Sequence, residues 1–217
     1  MSNVATSRNE DCEEMPRVSA RRAATRERLA EAAIRIFARK GVEGATVEEI
    51  CDDAGFTRGA FYSNFESKNA LCIDVLQRCM GRTLEALTVE LPSVTDTDLP
   101  VPEKLDMAIR LATRTVSGDP DTIMAINEIR LQAVRDPELR PAYLAFNSST
   151  EPVLHDLASD VIVANGVHLG IPVADLLSIL GTLYEQQMIE AVIAEAPDRT
   201  AIVSEKMTTL LKALITE

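Results

Sequence analysis

Between Thr46 and Ser67 the chain signals three helix starts in close succession, and this constrains the fold more than any other feature. Thr46 and Glu49 have the T-x-x-E spacing of a capping box, in which each side chain satisfies a free amide at a helix start. Val47, Ile50, Cys51 and Ala54 then supply an apolar face, and Gly55 breaks the helix. Thr57 can cap a third short helix through Phe61 and Tyr62, and Ser67 can cap a fourth that carries Leu71, Val75 and Leu76 onward. Upstream, Leu29, Ala33, Ile36 and Phe37 form one apolar stripe, and Gly41 after Arg39 and Lys40 reads as a C-terminal cap. Helix one is therefore expected over about 20–40 and helix two over about 46–53. The segment TVEEICDDAGFTRGAF, 46–61, has the parts of a helix-turn-helix, although a purely structural helix pair fits that segment alone equally well.

The remainder also reads as helix. Proline-containing stretches, LPSVTDTDLPVP, GDPD, RDPELRP and EAPD, separate apolar helical segments, and no run shows sustained strand-like alternation. Helices are expected at about 103–117, 121–135, 138–164 with a kink at Pro152, 173–195 and 198–215. The fold class is all-α: a three-helix helix-turn-helix domain at 19–66 and a larger helical domain at 67–217, behind a disordered tail at 1–18 that lacks periodicity. Leu176, Leu180, Leu183, Met188, Val192 and their neighbours cover more than one face of their helix, and Val203, Met207, Leu210, Leu211 and Leu214 make a stripe on the next. So much apolar surface on a terminal helix pair predicts a homodimer interface as well as a core.

Composition narrows the function classes. With 217 residues, 46% hydrophobic and 26% charged, the chain can bury a core, and disorder over the whole length is excluded. No stretch reaches the roughly 18 apolar residues of a membrane span, and the first residues are polar and acidic, so a cytoplasmic protein with no membrane partner is expected. The four cysteines have no C-x-x-C spacing and two histidines are few for a metal site, so reduced thiols, no metal and no cofactor are expected. The net charge of −12 is unevenly distributed: residues 1–80 carry −1 and residues 81–217 carry −11. Arg17 to Lys40 has a local charge of +6, which fits either a solvated basic helix face or a contact with nucleic acid.

The stretch from Thr25 to Leu71, TRERLAEAAIRIFARKGVEGATVEEICDDAGFTRGAFYSNFESKNAL, resembles the amino-terminal domain of TetR-family transcriptional regulators. The resemblance rests on F-A-R-K-G at 37–41, T-V-E-E-I after it, the A-G-F-T-R-G turn, and F-Y-S-N-F-E-S-K at 61–68. Cys51 stands where the family most often has Ala, and Ala60 where a hydroxylated residue is common. The resemblance implies a dimeric protein, usually a repressor, that is released from a double-stranded DNA operator by a small-molecule effector. Arg58 is then the leading base reader, placed to bond guanine O6 and N7 in the major groove. Gly59 and Ala60 keep the recognition helix slim, and Thr46 and Thr57 cap their helices and reach phosphates. Tyr62, Asn64 and Lys68 resemble phosphate contacts, and Ser63 completes the DNA-facing set. Phe61 and Phe65 are expected in the core.

For the acidic second domain the resemblance extends only to helical character. Polar residues within apolar segments are the expected pocket liners: Asn127, Glu128 and Arg130, His155, Tyr184 and Gln187. Surface or intersubunit roles compete with ligand contact at each of them. Two other classes compete as well. An all-helical enzyme lacks a Ser-His-acid set, a P-loop, G-x-G-x-x-G or E-x-x-H, and an interaction bundle without DNA activity leaves the Arg58 to Lys68 pattern without a reason.

Overall fold

The computed structural model describes residues 11–95, 97–116 and 119–216. Its elements in chain order are α1 (Asp11–Gly44), α2 (Val47–Ala54), α3 (Arg58–Tyr62), α4 (Lys68–Thr95), α5 (Val101–Val116), α6 (Pro120–Arg135), α7 (Arg140–Ala164), β1 (His168–Leu169), α8 (Val173–Ile193), α9 (Arg199–Leu214) and β2 (Ile215–Thr216). The fold is all-α apart from the two-residue strands β1 and β2. These pair antiparallel, with His168 opposite Thr216 and Leu169 opposite Ile215.

Residues 1–10 of the expected tail lie outside the described residues, and the rest of it needs correction: helix begins at Asp11. The Ala-, Arg- and Glu-rich composition that continues to Ala33 has the high helix propensity that extends α1 ahead of its packed part. At its other end Gly41 interrupts the helical backbone with φ 72° and ψ 164°, a combination open almost only to glycine. One further expectation built on proline changes: Pro92 does not end its helix, because α4 runs through it to Thr95, whereas α7 runs through Pro152 over Arg140–Ala164, close to the expected 138–164.

Three apolar clusters hold the molecule together. The first joins Leu29, Ala33 and Phe37 of α1 to Ile50 and Cys51 of α2, Phe61 and Phe65 around the end of α3, and Leu71, Cys72 and Val75 of α4. It also takes in Ala125, Ile129 and Ala133 of α6, so the amino-terminal helices and the larger helical body share one core. A second cluster packs Leu105 and Ile109 of α5 and Ile123 of α6 against Leu176, Leu180 and Met188 of α8 and Val203, Met207 and Leu211 of α9. In the third, Leu87, Leu91 and Val94 of α4 meet Leu111 of α5, with Leu157 and Val161 of α7 against them. No described residue of α7 is buried, so that helix forms a one-sided wall.

Candidate nucleic-acid interface and helical cavity

The short helices are built by their caps. The Thr46 hydroxyl accepts from the Glu49 amide at 3.2 Å while the Glu49 carboxylate accepts from the Thr46 amide at 3.1 Å, completing the capping box. Lys40 pairs with Glu49 as well, and the Lys40 ammonium and the Thr46 amide hold that carboxyl below its ordinary range. Gly55 turns the chain at φ 68°, and its amide donates to the Asp52 and Cys51 carbonyls. Thr57 then caps α3, accepting from the Ala60 amide at 3.2 Å. The cap leaves Arg58, Gly59 and Ala60 at the start of α3, with Phe61 buried beneath and the Arg58 side chain 60% exposed. The Arg58 guanidinium pairs with Glu48 and sits 5.8 Å from the Tyr62 ring centroid, and Tyr62 and Glu48 raise its pKa. An ion pair this exposed contributes little to stability, so the guanidinium can exchange Glu48 for another acceptor.

The other expected contacts divide. Tyr62 is 51% exposed, beside Ser63 on the same surface. Ser63 and Asn64 both fold back, the hydroxyl donating to the Ala60 carbonyl at 2.9 Å and the amide at 2.8 Å. Lys68 is held within the protein. Its ammonium donates to the carbonyls of Val42 at 2.5 Å, Ala45 at 2.8 Å and Glu43 at 3.4 Å, which uses all three donors. It ties the segment after Gly41 to the start of α4 and has no donor left for a phosphate.

The larger domain holds a half-open cavity of about 1100 Å³ between α4, α5, α6, α7, α8 and α9, lined mostly by Leu, Ile, Ala, Met and Val. Asn127, Arg130, His155 and Tyr184 line it as expected. Asn127 donates to the Ile123 carbonyl of its own helix at 2.9 Å. Arg130 forms a two-pronged pair with Glu185 of α8 and donates to the Tyr143 hydroxyl of α7 at 3.1 Å. Together Glu185 and Tyr143 raise the Arg130 pKa.

Glu128 and Gln187 are corrections, because neither faces the cavity. The Glu128 carboxylate lies against Gly41, where a Cβ would meet it at 2.8 Å, and Gln187 accepts from Lys206 of α9. Glu128 is two residues from Arg130, about 200° around the helix, so the two point to opposite sides of α6. Sequence reasoning missed Tyr143, Thr113 and Cys79 as liners. No local pattern marks them, since each faces the cavity only through the packing of its helix. Burial raises the Cys79 thiol and pushes Cys72 up to about 12, so neither is an activated nucleophile.

A capped helix-turn-helix with an exposed arginine at the head of its second helix is joined through one core to a helical body around an apolar cavity, the architecture of an all-α helix-turn-helix protein. Residues 29–75 match the family model of bacterial regulatory proteins, tetR family, so the amino-terminal stretch is similar to the DNA-binding domain of those regulators. Over 68 residues the chain is 43% identical to the HTH-type transcriptional repressor BepR of Brucella suis biovar 1 (strain 1330), covering 31% of each sequence. It is 36% identical over 62 residues to the HTH-type transcriptional regulator YerO of Bacillus subtilis (strain 168), covering 29% of this chain and 22% of that one. These alignments thus span less than a third of the curated relatives. The fold as a whole is similar to that of the transcriptional regulator FadR from Bacillus subtilis, solved in complex with stearoyl-CoA. That likeness has a TM-score of 0.67 at 19% identity over 85% of this chain and 96% of the other. Among the described residues no helix is long and apolar enough to cross a membrane, and no cluster of His, Cys, Asp and Glu could hold a metal.

Proposed function

We propose that the protein is a cytoplasmic, ligand-responsive transcriptional repressor that binds a pseudo-palindromic operator as a homodimer and is released by a small, mainly apolar molecule. The observation that carries this reading is the head of α3: Arg58 and Gly59 are exposed and Ala60 is half-exposed at the start of a helix whose other side is locked by Phe61, Arg58 being held only by its exposed pair with Glu48 and by Tyr62. An arginine so placed can bond a guanine bidentately in the major groove, with Thr46, Thr57, Tyr62, Ser63 and Asn64 around it for phosphates. The core boundary near residue 66 is best drawn a little later for this purpose, because Leu71, Cys72 and Val75 of α4 complete the reading domain's core.

The cavity supports the effector half of the reading. Its volume of about 1100 Å³ lies just above the roughly 300–1,000 Å³ typical of small-molecule sites. Its apolar lining suits an apolar body, and the pair of Arg130 with Glu185 offers a polar anchor at one wall. FadR, with its bound stearoyl-CoA, is an example of the same fold receiving a ligand with a long apolar chain. Exposed Ile179 and Ile193 on α8 and Ile202 on α9 support a twofold contact through these helices. Selection of bound duplexes from a random pool tests the reading. Recovery of a twofold-related consensus with half-sites about one helical turn apart supports it, and recovery of no enriched sequence refutes it. Mass determination in solution at micromolar concentration tests the dimer, and a monomer alone would refute that part.

A further inference from the structure

The local charge of +6 between Arg17 and Lys40 is mostly consumed inside the fold. Arg26 donates to Asp74 at 2.5 Å and to the Asn64 carbonyl at 2.8 Å, its guanidinium lying over the Phe65 ring. Arg28 donates to the Ala54 carbonyl at 2.7 Å and covers Phe56. Arg35 and Arg39 face Asp53, and Lys40 takes Glu49. Of the cations in this stretch whose side chains are described, two are left over. Arg21 and Arg22 are exposed, and among the described residues neither guanidinium has a carboxylate or hydrogen-bond partner.

We propose that Arg21 and Arg22 form a phosphate-binding site that extends the duplex contact beyond the helix-turn-helix onto the backbone flanking each half-site; this rests on the DNA-binding reading above. The internally paired arginines fix where these two stand. Arg22 is four residues, about one turn or 5.4 Å, outward from Arg26, which touches the chain leaving α3 at Asn64. Arg21 is seven residues, about two turns, outward from Arg28, which touches the chain approaching α3 at Ala54. The two therefore stand on α1 one to two turns ahead of the arginines that touch the chain on either side of the recognition helix, and ahead of Leu29, where the buried core begins. A guanidinium with no protein carboxylate keeps its forked donors for phosphate oxygens, and no internal pair has to break when it binds. In a chain of net charge −12, local free cations are what offset the general repulsion between protein and DNA. Such contacts add affinity and orientation but read no bases.

The test uses the full chain and the double variant Arg21→Ala with Arg22→Ala. Both are titrated against the selected duplex and a scrambled one from about 50 to about 200 mM salt, the range over which phosphate contacts are read. Each lost contact lowers the slope of log affinity against log salt by about 0.9, so the four lost by a dimer, two from each protomer, lower it by about 3.6. The variant should then lose roughly 150-fold less affinity than the parent across that range, on both duplexes alike. Its selected consensus and thermal midpoint should match the parent's, and the variant with Lys at both positions should recover the parental slope. A variant slope equal to the parent's, or a changed consensus, overturns the proposal while leaving the DNA-binding reading intact. Failure of the parent itself to bind any duplex overturns both.

Discussion

At the residue scale, Arg58 and Lys68 show how two cations of one motif come to do different work. Arg58 is held only by an exposed pair with Glu48 and the edge of Tyr62, so its donors remain free to turn toward bases. Arg58→Ala is expected to weaken operator binding by about 1–3 kcal/mol and to relax base preference at one position in each half-site. Repeating the duplex selection with the variant checks this, and an unchanged consensus would assign base reading elsewhere. Lys68 is bound by three carbonyls that no other side chain satisfies in its place. Lys68→Ala should therefore lower stability by about 1–3 kcal/mol, the cost of stranding such acceptors, while leaving the salt slope of DNA binding unchanged. Chemical denaturation and a salt titration separate these effects. Both residues sit in a motif legible in the sequence, but only the fold shows which of them is already occupied.

At the scale of elements, the caps at Thr46, Gly55, Thr57 and Ser67 form where the sequence places them, because each is a bond between residues two to four apart. Glu49 makes the capping box pH-sensitive. Its folded-state pKa lies below the ordinary 4.5, so its contribution is complete above that value and is lost as pH falls through the folded pKa. Glu49→Gln keeps a capping acceptor but loses the charge paired with Lys40. The stability gap between parent and variant should therefore be fully present above 4.5 and narrow as pH falls below it, which thermal melts across the acid range measure. A gap unchanged over the range would show that the Lys40 pair contributes nothing. Longer elements were less legible. The proline stretch after Leu91 suggested an end for α4, yet the helix continues through Pro92 to Thr95.

At the scale of the whole molecule, α4 and α6 join the reading head to the cavity. Leu71 and Val75 of α4 and Ile129 of α6 share the reading domain's core, while Leu87 of α4 and Ile123 and Arg130 of α6 line the cavity. Asn69 of α4 also donates to Asp136, just past α6, at 2.8 Å. A compound that dissociates the operator complex from this cavity should change operator affinity by some 5- to 150-fold, the usual allosteric range. Operator DNA should weaken binding of that compound by the same factor; calorimetric titration with and without operator, giving equal affinities, would refute such coupling. The sequence alone determined the helical class, the three capped starts and the exposed head of α3, since these depend on propensity and on bonds between near neighbours. It could not separate Glu128 from Arg130, or an occupied Lys68 from a free Arg21. A helix offers every side of itself to its surroundings, and only the packing of α1, α7 and α8 around α6 decides which side faces a core, which a joint and which a cavity.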